Sequence, residues 1–199
     1  MFPVLLDLSL ARVVVIGDGE HAVRRLAQLD HDEPGDLYVF SLAPGAALEA
    51  TAGARLVRRL PTPVDLVGVT IAFIAGLDRD ISADIAKMAR RAGALVHVED
   101  QPKLCSVQMP AMVRRGDLLI SVSTGGASPG LARRLREHLE ALFGPEWAGR
   151  VALLGALRKS WRRAEVPAAE IARRTSAVVE ARGWLPDAVA ARHDDRRRA

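Results

Sequence analysis

The sequence predicts an α/β protein built on a parallel sheet with helices on both faces. Three observations carry that expectation. Short runs of uniformly apolar, often β-branched residues alternate with segments of helical spacing from residue 13 to residue 98. The first run ends abruptly in a glycine turn that opens a helix. The chain has 199 residues, 49% of them hydrophobic and 26% charged, enough to bury a sizeable core without metal or disulfide and unlike disordered, fibrous or collagenous chains.

Taken in order, VVVI (13–16) is a buried strand that enters Gly17-Asp18-Gly19. Residues 20–29 follow as a helix with Ala22, Val23, Leu26, Ala27 and Leu29 at helical spacing. The acidic DHDEPGD (30–36) is a loop, 37–42 the second strand, 46–54 a short helix and 54–60 a third strand. The strongly apolar VGVTIAFIA (67–75) reads as one strand, 81–92 as a helix with Ile81, Ile85, Met88 and Ala89 on one face, and 94–98 as another strand. Residues 100–110, with two prolines, are irregular. Residues 118–123 form a strand, 124–127 a turn, and Ser128-Pro129 the N-cap and first position of a helix reaching about residue 143, where Gly144-Pro145 stops it. Residues 150–182 are helical with a break near Pro167, Trp161 and Trp184 anchor that region, and HDDRRRA at the end frays.

The net charge is +4, and its positive surplus falls in residues 150–199, while residues 1–149 are slightly acidic. The main body is therefore not a basic nucleic-acid binder. No stretch approaches the ~18 uncharged apolar residues of a membrane span, and the opening MFPVLLDLSLARVVVIG has no basic leader and is interrupted by Asp7, unlike a signal peptide. The single cysteine, Cys105, allows no internal disulfide, and a reducing cytoplasm is the expected compartment. No His, Cys and Asp cluster has metal-ligand spacing, so no resident metal is expected.

Gly17-x-Gly19-x-x-Ala22 between a strand and a helix is a dinucleotide fingerprint, which gives the α/β fold a Rossmann-like reading. Gly17 permits the tight turn, Gly19 lets backbone N–H groups approach a diphosphate, and Ala22 lets the helix pack closely. Asp18 and Glu20 put carboxylates in or beside that loop; pointed outward they are screened, pointed inward they oppose a diphosphate. Ser41 stands at the end of the second strand, where NAD-selective sites often carry an acid. Gly17, Asp18, Gly19, Glu20, His21, Ala22 and Ser41 are thus the candidate cofactor-binding residues. A glycine turn in a nucleotide-free protein is the alternative.

Three stretches carry a wider resemblance: FPVLLDLSLARVVVIGDG (2–19), ALVHVEDQPKLCSVQMPAMV (94–113) and LLISVSTGGASPGLARRLREHLE (118–140). On them the chain resembles the precorrin-2 dehydrogenase / sirohydrochlorin ferrochelatase family, which includes the N-terminal half of siroheme synthase. That resemblance implies a Rossmann domain over residues 1–110, a dimerisation region over 111–149 and a helical C-terminal region over 150–199. It implies NAD-dependent oxidation of precorrin-2 to sirohydrochlorin by a cytoplasmic homodimer, with insertion of ferrous iron as a second activity in some members. The alternative is a catalytically degenerate Rossmann protein that only binds a tetrapyrrole or nucleotide. Two departures bear on the nucleotide site. The middle one of the family's three turn glycines is Asp18 here, and AFIAGLDRD (72–80) lacks the threonine and first acid of the family's A-T-D-D-like string.

The family's key acid falls on Asp100, in VEDQPK. Oxidation of precorrin-2 removes a hydride and a proton. A carboxylate just past a strand's carboxyl end suits a general base, or a group that orients the macrocycle; on spacing alone a solvent-exposed turn residue is the favoured reading of Asp100, and the resemblance reverses it. For iron insertion the same carboxylate could take protons from the pyrrole nitrogens. Glu99 and His97 alternate to the other side and read as structural, and Cys105 as a small buried apolar residue. Thr124, Gly125, Gly126 and Ser128 precede a helix N-terminus and either hold a substrate carboxylate or form a plain capped turn. Arg133 and Arg136 share a face and either pair with substrate carboxylates or are solvated; Leu131, Leu135, Leu139 and Leu142 form a core or dimer stripe.

Overall fold

The computed structural model describes residues 2–185. The chain divides into two units: one runs to Pro110 and includes Gly125–Ala127, the other comprises Ala111–Thr124 and continues from Ser128.

The first unit holds a five-stranded parallel sheet in the order β3-β2-β1-β4-β5. Its strands are β1 (Arg12–Gly17), β2 (Asp36–Phe40), β3 (Leu56–Val57), β4 (Ile71–Ala75) and β5 (Leu95–Val98). The helices are α1 (Gly19–Asp30), α2 (Ala46–Ala52) and α3 (Arg79–Arg91). β1 pairs with β2 on one side and β4 on the other, with Val14 opposite Tyr38 and Ala72. The chain thus winds outward from β1 to β3, then crosses back to β4, which makes the β1/β4 boundary the point where strand order reverses. Every residue of β4 is buried, as is β1 after Arg12, because helices cover both faces and alternate residues face opposite layers. Ile16, Ile74 and Val96 pack with Ile85 and Ala89 of α3; Val15, Val39 and Phe73 pack with Ala22 and Leu26 of α1.

Four details differ from the sequence reading. The apolar run 67–75 is not one strand. Gly68 adopts φ +74°, and the Val69 N–H donates to the Leu66 carbonyl, so the chain turns before β4 begins at Ile71. Leu66 and Val69 still bury their side chains from that turn: the apolar content marks burial, not extension. β3 is two residues long, an edge strand that Arg58 and Arg59 leave at once. On α1, Ala27 faces solvent and Val23 is half-buried.

The fourth is a missed strand. The second unit opens with an antiparallel hairpin of β6 (Ala111–Arg115) and β7 (Leu118–Val122). The basic Arg114 and Arg115 disguise β6, yet two residues, Gly116-Asp117, between two short runs are a hairpin signal. Arg115 is there for α4 (Pro129–Leu142): its Nε donates to the Phe143 carbonyl at 2.8 Å, satisfying the helix C-terminus. Ser128 caps the other end, accepting from the Leu131 N–H, with Pro129 in the first turn. α5 (Trp147–Arg163) and α6 (Ala168–Ala181) complete the unit, broken at Pro167. Trp161 and Trp184 are half-buried under arginines, Trp161 beneath Arg174 and Trp184 beneath Arg150 and Arg182. The terminal HDDRRRA lies outside the described residues.

Candidate functional site

At the strand-order reversal, two backbone loops meet with no room for side chains. A Cβ on Gly17 would lie 1.7 Å from the Ala75 carbonyl oxygen, which already accepts the Asp18 N–H at 3.2 Å. A Cβ on Gly76 would lie 2.2 Å from the Asp18 carbonyl oxygen, and Gly76 has φ +69°. Gly17 and Gly76 therefore clasp the end of β1 to the end of β4. Gly76 belongs to the departing string 72–80, where sequence reading sought an acid; its signal was a glycine directly after a strand, the same cue that singled out Gly17.

Gly19 is different in kind. It has φ +66° and no atom within 4 Å of its Cβ position, so it faces open space at the first turn of α1. The helix N-terminus behind it has no side-chain cap. Its unpaired N–H groups and the positive end of the helix dipole are available to an anion. Ala22, wholly buried, brings α1 onto the sheet. Exposed Glu20, together with Gly19, Val23 and Arg24, lines an open groove of about 370 Å³ bounded on its other side by Gly45–Leu48. A diphosphate fits the first turn of α1, where the glycine is open and the helix end uncapped; the adjoining groove is lined almost wholly by apolar atoms.

Asp18 does not cap α1. Its carboxylate turns toward the end of β2 and accepts from the Ser41 hydroxyl and from the Ala43 N–H at 3.2 Å. Ser41 is fully buried.

Asp100 follows β5 on the same carboxyl edge. It is exposed and has φ +58°, a left-handed conformation uncommon outside glycine and most tolerated by Asn and Asp. The loop it opens is tied down at both ends: the Gln101 N–H donates to the Val98 carbonyl, and Ser106 exchanges hydrogen bonds with Val96. Cys105 packs against the core, and its thiol lies 3.2 Å from the Val98 N–H and carbonyl.

Glu99, one residue earlier, turns the other way. Its carboxylate meets His21 Nδ1 at 3.1 Å and Arg24 at 3.5 Å, both on α1. This bridge joins the end of β5 to the helix that follows the glycine turn, and its second oxygen is buried without a hydrogen-bond partner. No local pattern announced it, because its partners lie some seventy-odd residues away in sequence. His97 stands beside it, donating through Nδ1 to the Val107 carbonyl at 3.2 Å with Nε2 3.4 Å from Arg25. Burial first, then Arg25, hold its pKa below the ordinary value, so it is a neutral structural ring.

In the second unit Thr124 Oγ1 closes a small turn on Ser128, accepting its N–H and donating to its carbonyl, both at 3.1 Å. Gly125 and Gly126, which belong to the first unit, have φ +61° and +87°. Arg133 is engaged along its own helix by Glu137 at 2.9 Å, and Arg136 by Glu140 at 2.6 Å. Among the described residues, no group of His, Cys, Asp and Glu could hold a metal ion, and no helix is long and apolar enough to cross a membrane.

Comparison with known proteins gives the following. Residues 4–111 match a family described as "Putative NAD(P)-binding", and residues 115–142 match the central region of sirohaem biosynthesis proteins. The chain is 36% identical over 214 residues to the siroheme synthase of Methylococcus capsulatus, covering 98% of this chain and 44% of that protein. It is 36% identical over 168 residues to the siroheme synthase of Gluconobacter oxydans, covering 80% and 35%. The chain thus spans under half the length of these relatives. A solved structure of SirC, a precorrin-2 dehydrogenase, superimposes with a TM-score of 0.73 at 25% identity, covering 97% of this chain and 96% of that one.

Proposed function

We propose, from the premise that this chain belongs to the NAD(P)-binding family and corresponds to the N-terminal half of siroheme synthase, that it oxidises precorrin-2 to sirohydrochlorin with NAD as hydride acceptor. When bound, NAD supplies the hydride acceptor. The chain's own residues do the rest. The α1 N-terminus and Gly19 hold the diphosphate against the carboxyl edge of the sheet. Gly17 and Gly76 keep that edge closed to other side chains. Asp100 accepts the proton that leaves with the hydride, from a backbone held in one conformation by the turns around it. Glu99, fixed to His21 and Arg24, anchors the base of that loop to α1.

The observation that supports this reading most is that the open glycine turn and a conformationally constrained, exposed carboxylate share one sheet edge, with only β4 between their strands. Thr124–Ser128 and Arg133 are assigned to the substrate's carboxylates, which would draw Arg133 away from Glu137. Residues 1–110 serve as the dinucleotide domain, 111–149 as the dimerisation region and the stretch from residue 150 as the helical region, of which residues 186–199 lie outside the described residues. The active form is a homodimer, supported by Leu131, Leu135 and Leu142, which α4 leaves exposed. Ferrous iron is a second substrate at Asp100, and the lone thiol Cys105 fits a cytoplasmic setting.

The test is incubation of the intact chain with precorrin-2 and NAD, following sirohydrochlorin and NADH by absorbance. Stoichiometric appearance of both is expected. Retention of the tetrapyrrole without NADH would reject the reading in favour of a catalytically silent binder. Adding ferrous iron to sirohydrochlorin tests the second activity separately.

A further inference from the structure

We infer that Asp18, held by Ser41, makes this site selective for NAD over NADP. The inference rests on the cofactor reading above and deepens it, naming the residue that sets the choice of nucleotide.

Selectivity between the two nucleotides turns on one position, the 2′ carbon of the adenosine ribose, which bears a hydroxyl in NAD and a phosphate in NADP. In Rossmann sheets this ribose lies beside the end of β2, where an acid accepts the hydroxyl or an arginine receives the phosphate. Here β2 ends at Phe40 and the next residue, Ser41, is neutral and fully buried. The charge arrives from the neighbouring strand instead. Asp18 sits inside the glycine turn, at the position between Gly17 and Gly19, and sends its carboxylate across to Ser41 and Ala43. Both contacts fall on the same oxygen, Oδ1. Among the described residues no partner engages Oδ2, which is left to accept a ligand hydroxyl.

This explains how a carboxylate is tolerated in a loop that must meet a diphosphate. The Ser41 hydroxyl and the Ala43 N–H draw it toward β2, away from the uncapped end of α1. An anion so placed accepts a ribose hydroxyl and repels a 2′-phosphate.

The cations nearby reinforce the choice. Arg58 and Arg59 follow β3, next to β2, and Arg59 stacks over Phe40 at 5.5 Å. Both are already committed. Arg59 forms a two-pronged pair with Asp65 at 2.7 and 2.8 Å, which holds that carboxyl well below the usual carboxylate range; Arg58 pairs with Glu49. A 2′-phosphate would meet the Asp18 anion, and would gain these arginines only by displacing Asp65 and Glu49.

The test is equilibrium binding by titration calorimetry on the intact chain, with NAD and NADP as the probes. The wild type should bind NAD at least about tenfold more tightly than NADP, the scale of one charge-assisted contact exchanged for one repulsion. Asp18→Asn keeps an acceptor and removes the charge; it should narrow the ratio to about threefold or less, mainly by a gain for NADP. Ser41→Ala leaves the charge but frees it from β2; NAD should weaken several-fold while NADP stays excluded. Thermal unfolding of each variant confirms its fold. Equal affinity of the wild type for both nucleotides would overturn the inference alone. So would an unchanged ratio in Asp18→Asn, or an equal gain for both nucleotides, which would make Asp18 a mere obstruction. If the wild type bound neither nucleotide, the cofactor reading itself would fall.

Discussion

The two units of this chain bury their apolar residues very differently. In the first, Val13–Ile16 and all of β4 are shielded from solvent, and α1 and α3 each seal one face. In the second, only Val113, Ala132 and Ile171 are buried among the described residues, and α5 has no buried residue. Leu131, Leu135 and Leu142 stand out along α4 at 40–58% exposure. The dinucleotide-binding unit is thus complete within one chain. The second carries apolar stripes that one chain does not cover, the condition under which stability becomes linked to association.

The sharpest test of that contrast separates chemistry from fold inside the first unit. Asp100→Asn should reduce precorrin-2 oxidation by roughly 10²–10⁴-fold, the usual worth of a general base. Because Asn also tolerates φ +58°, thermal unfolding and NAD binding should stay as in the wild type. Near-normal turnover would remove Asp100 from the mechanism.

The glycine pair comes next. Gly17→Ala drives a Cβ into the Ala75 carbonyl and should cost about 3 kcal/mol or more, seen as a large drop in the chemical denaturation midpoint. The Cβ of Gly19→Asp meets no atom, though φ +66° strains any side chain there, and the carboxylate brings charge and bulk to the diphosphate position. The substitution should abolish NAD binding in calorimetry while the fold survives with a smaller loss. If the two variants behaved alike, the distinction between a structural and a ligand-facing glycine would fail.

Association probes the second unit. If the proposed dimer forms through α4, the wild type scatters light as a dimer at micromolar protein and Leu135→Glu as a monomer, with unaltered NAD affinity. An unchanged mass would place the subunit contact elsewhere.

The smallest effect is a pH dependence in the first unit. His97 has a depressed pKa when folded, from burial and from Arg25. As pH falls below about 6.5, the unfolded chain takes up the proton first. The stabilising contribution is therefore present above that pH and is lost as pH falls through the folded value. His97→Gln should flatten the stability profile below about pH 6.5. A profile unchanged by the substitution would show that His97 does not titrate differently on folding.

Much of this architecture was legible beforehand because its signals are local. The runs at 13–16 and 71–75, the spacing of α1 and α3, and Ser128-Pro129 before α4 are patterns within a turn or two of chain. The glycine turn marked the end of β1 as a binding edge, while the strand order itself came only from the structure. The failures were local as well. Gly68 broke a run whose apolarity came from burial in a turn, and two arginines hid β6 because one of them closes a helix far along the chain.

The local patterns of this sequence determined a doubly covered parallel sheet and a glycine turn after its first strand, and the family resemblance singled out an acid beyond its fifth. The sheet and the turn follow from near-neighbour sterics and from the 2.0 and 3.6 residue periods. Only the tertiary structure decided where the charges of the site point. Asp18 turns to Ser41 across 23 positions of sequence, and Glu99 turns to His21 and Arg24 across more than 70. Such pairings exist only once β1 lies between β2 and β4, because a carboxylate's direction is set by the donors that the sheet register brings within about 3 Å of it.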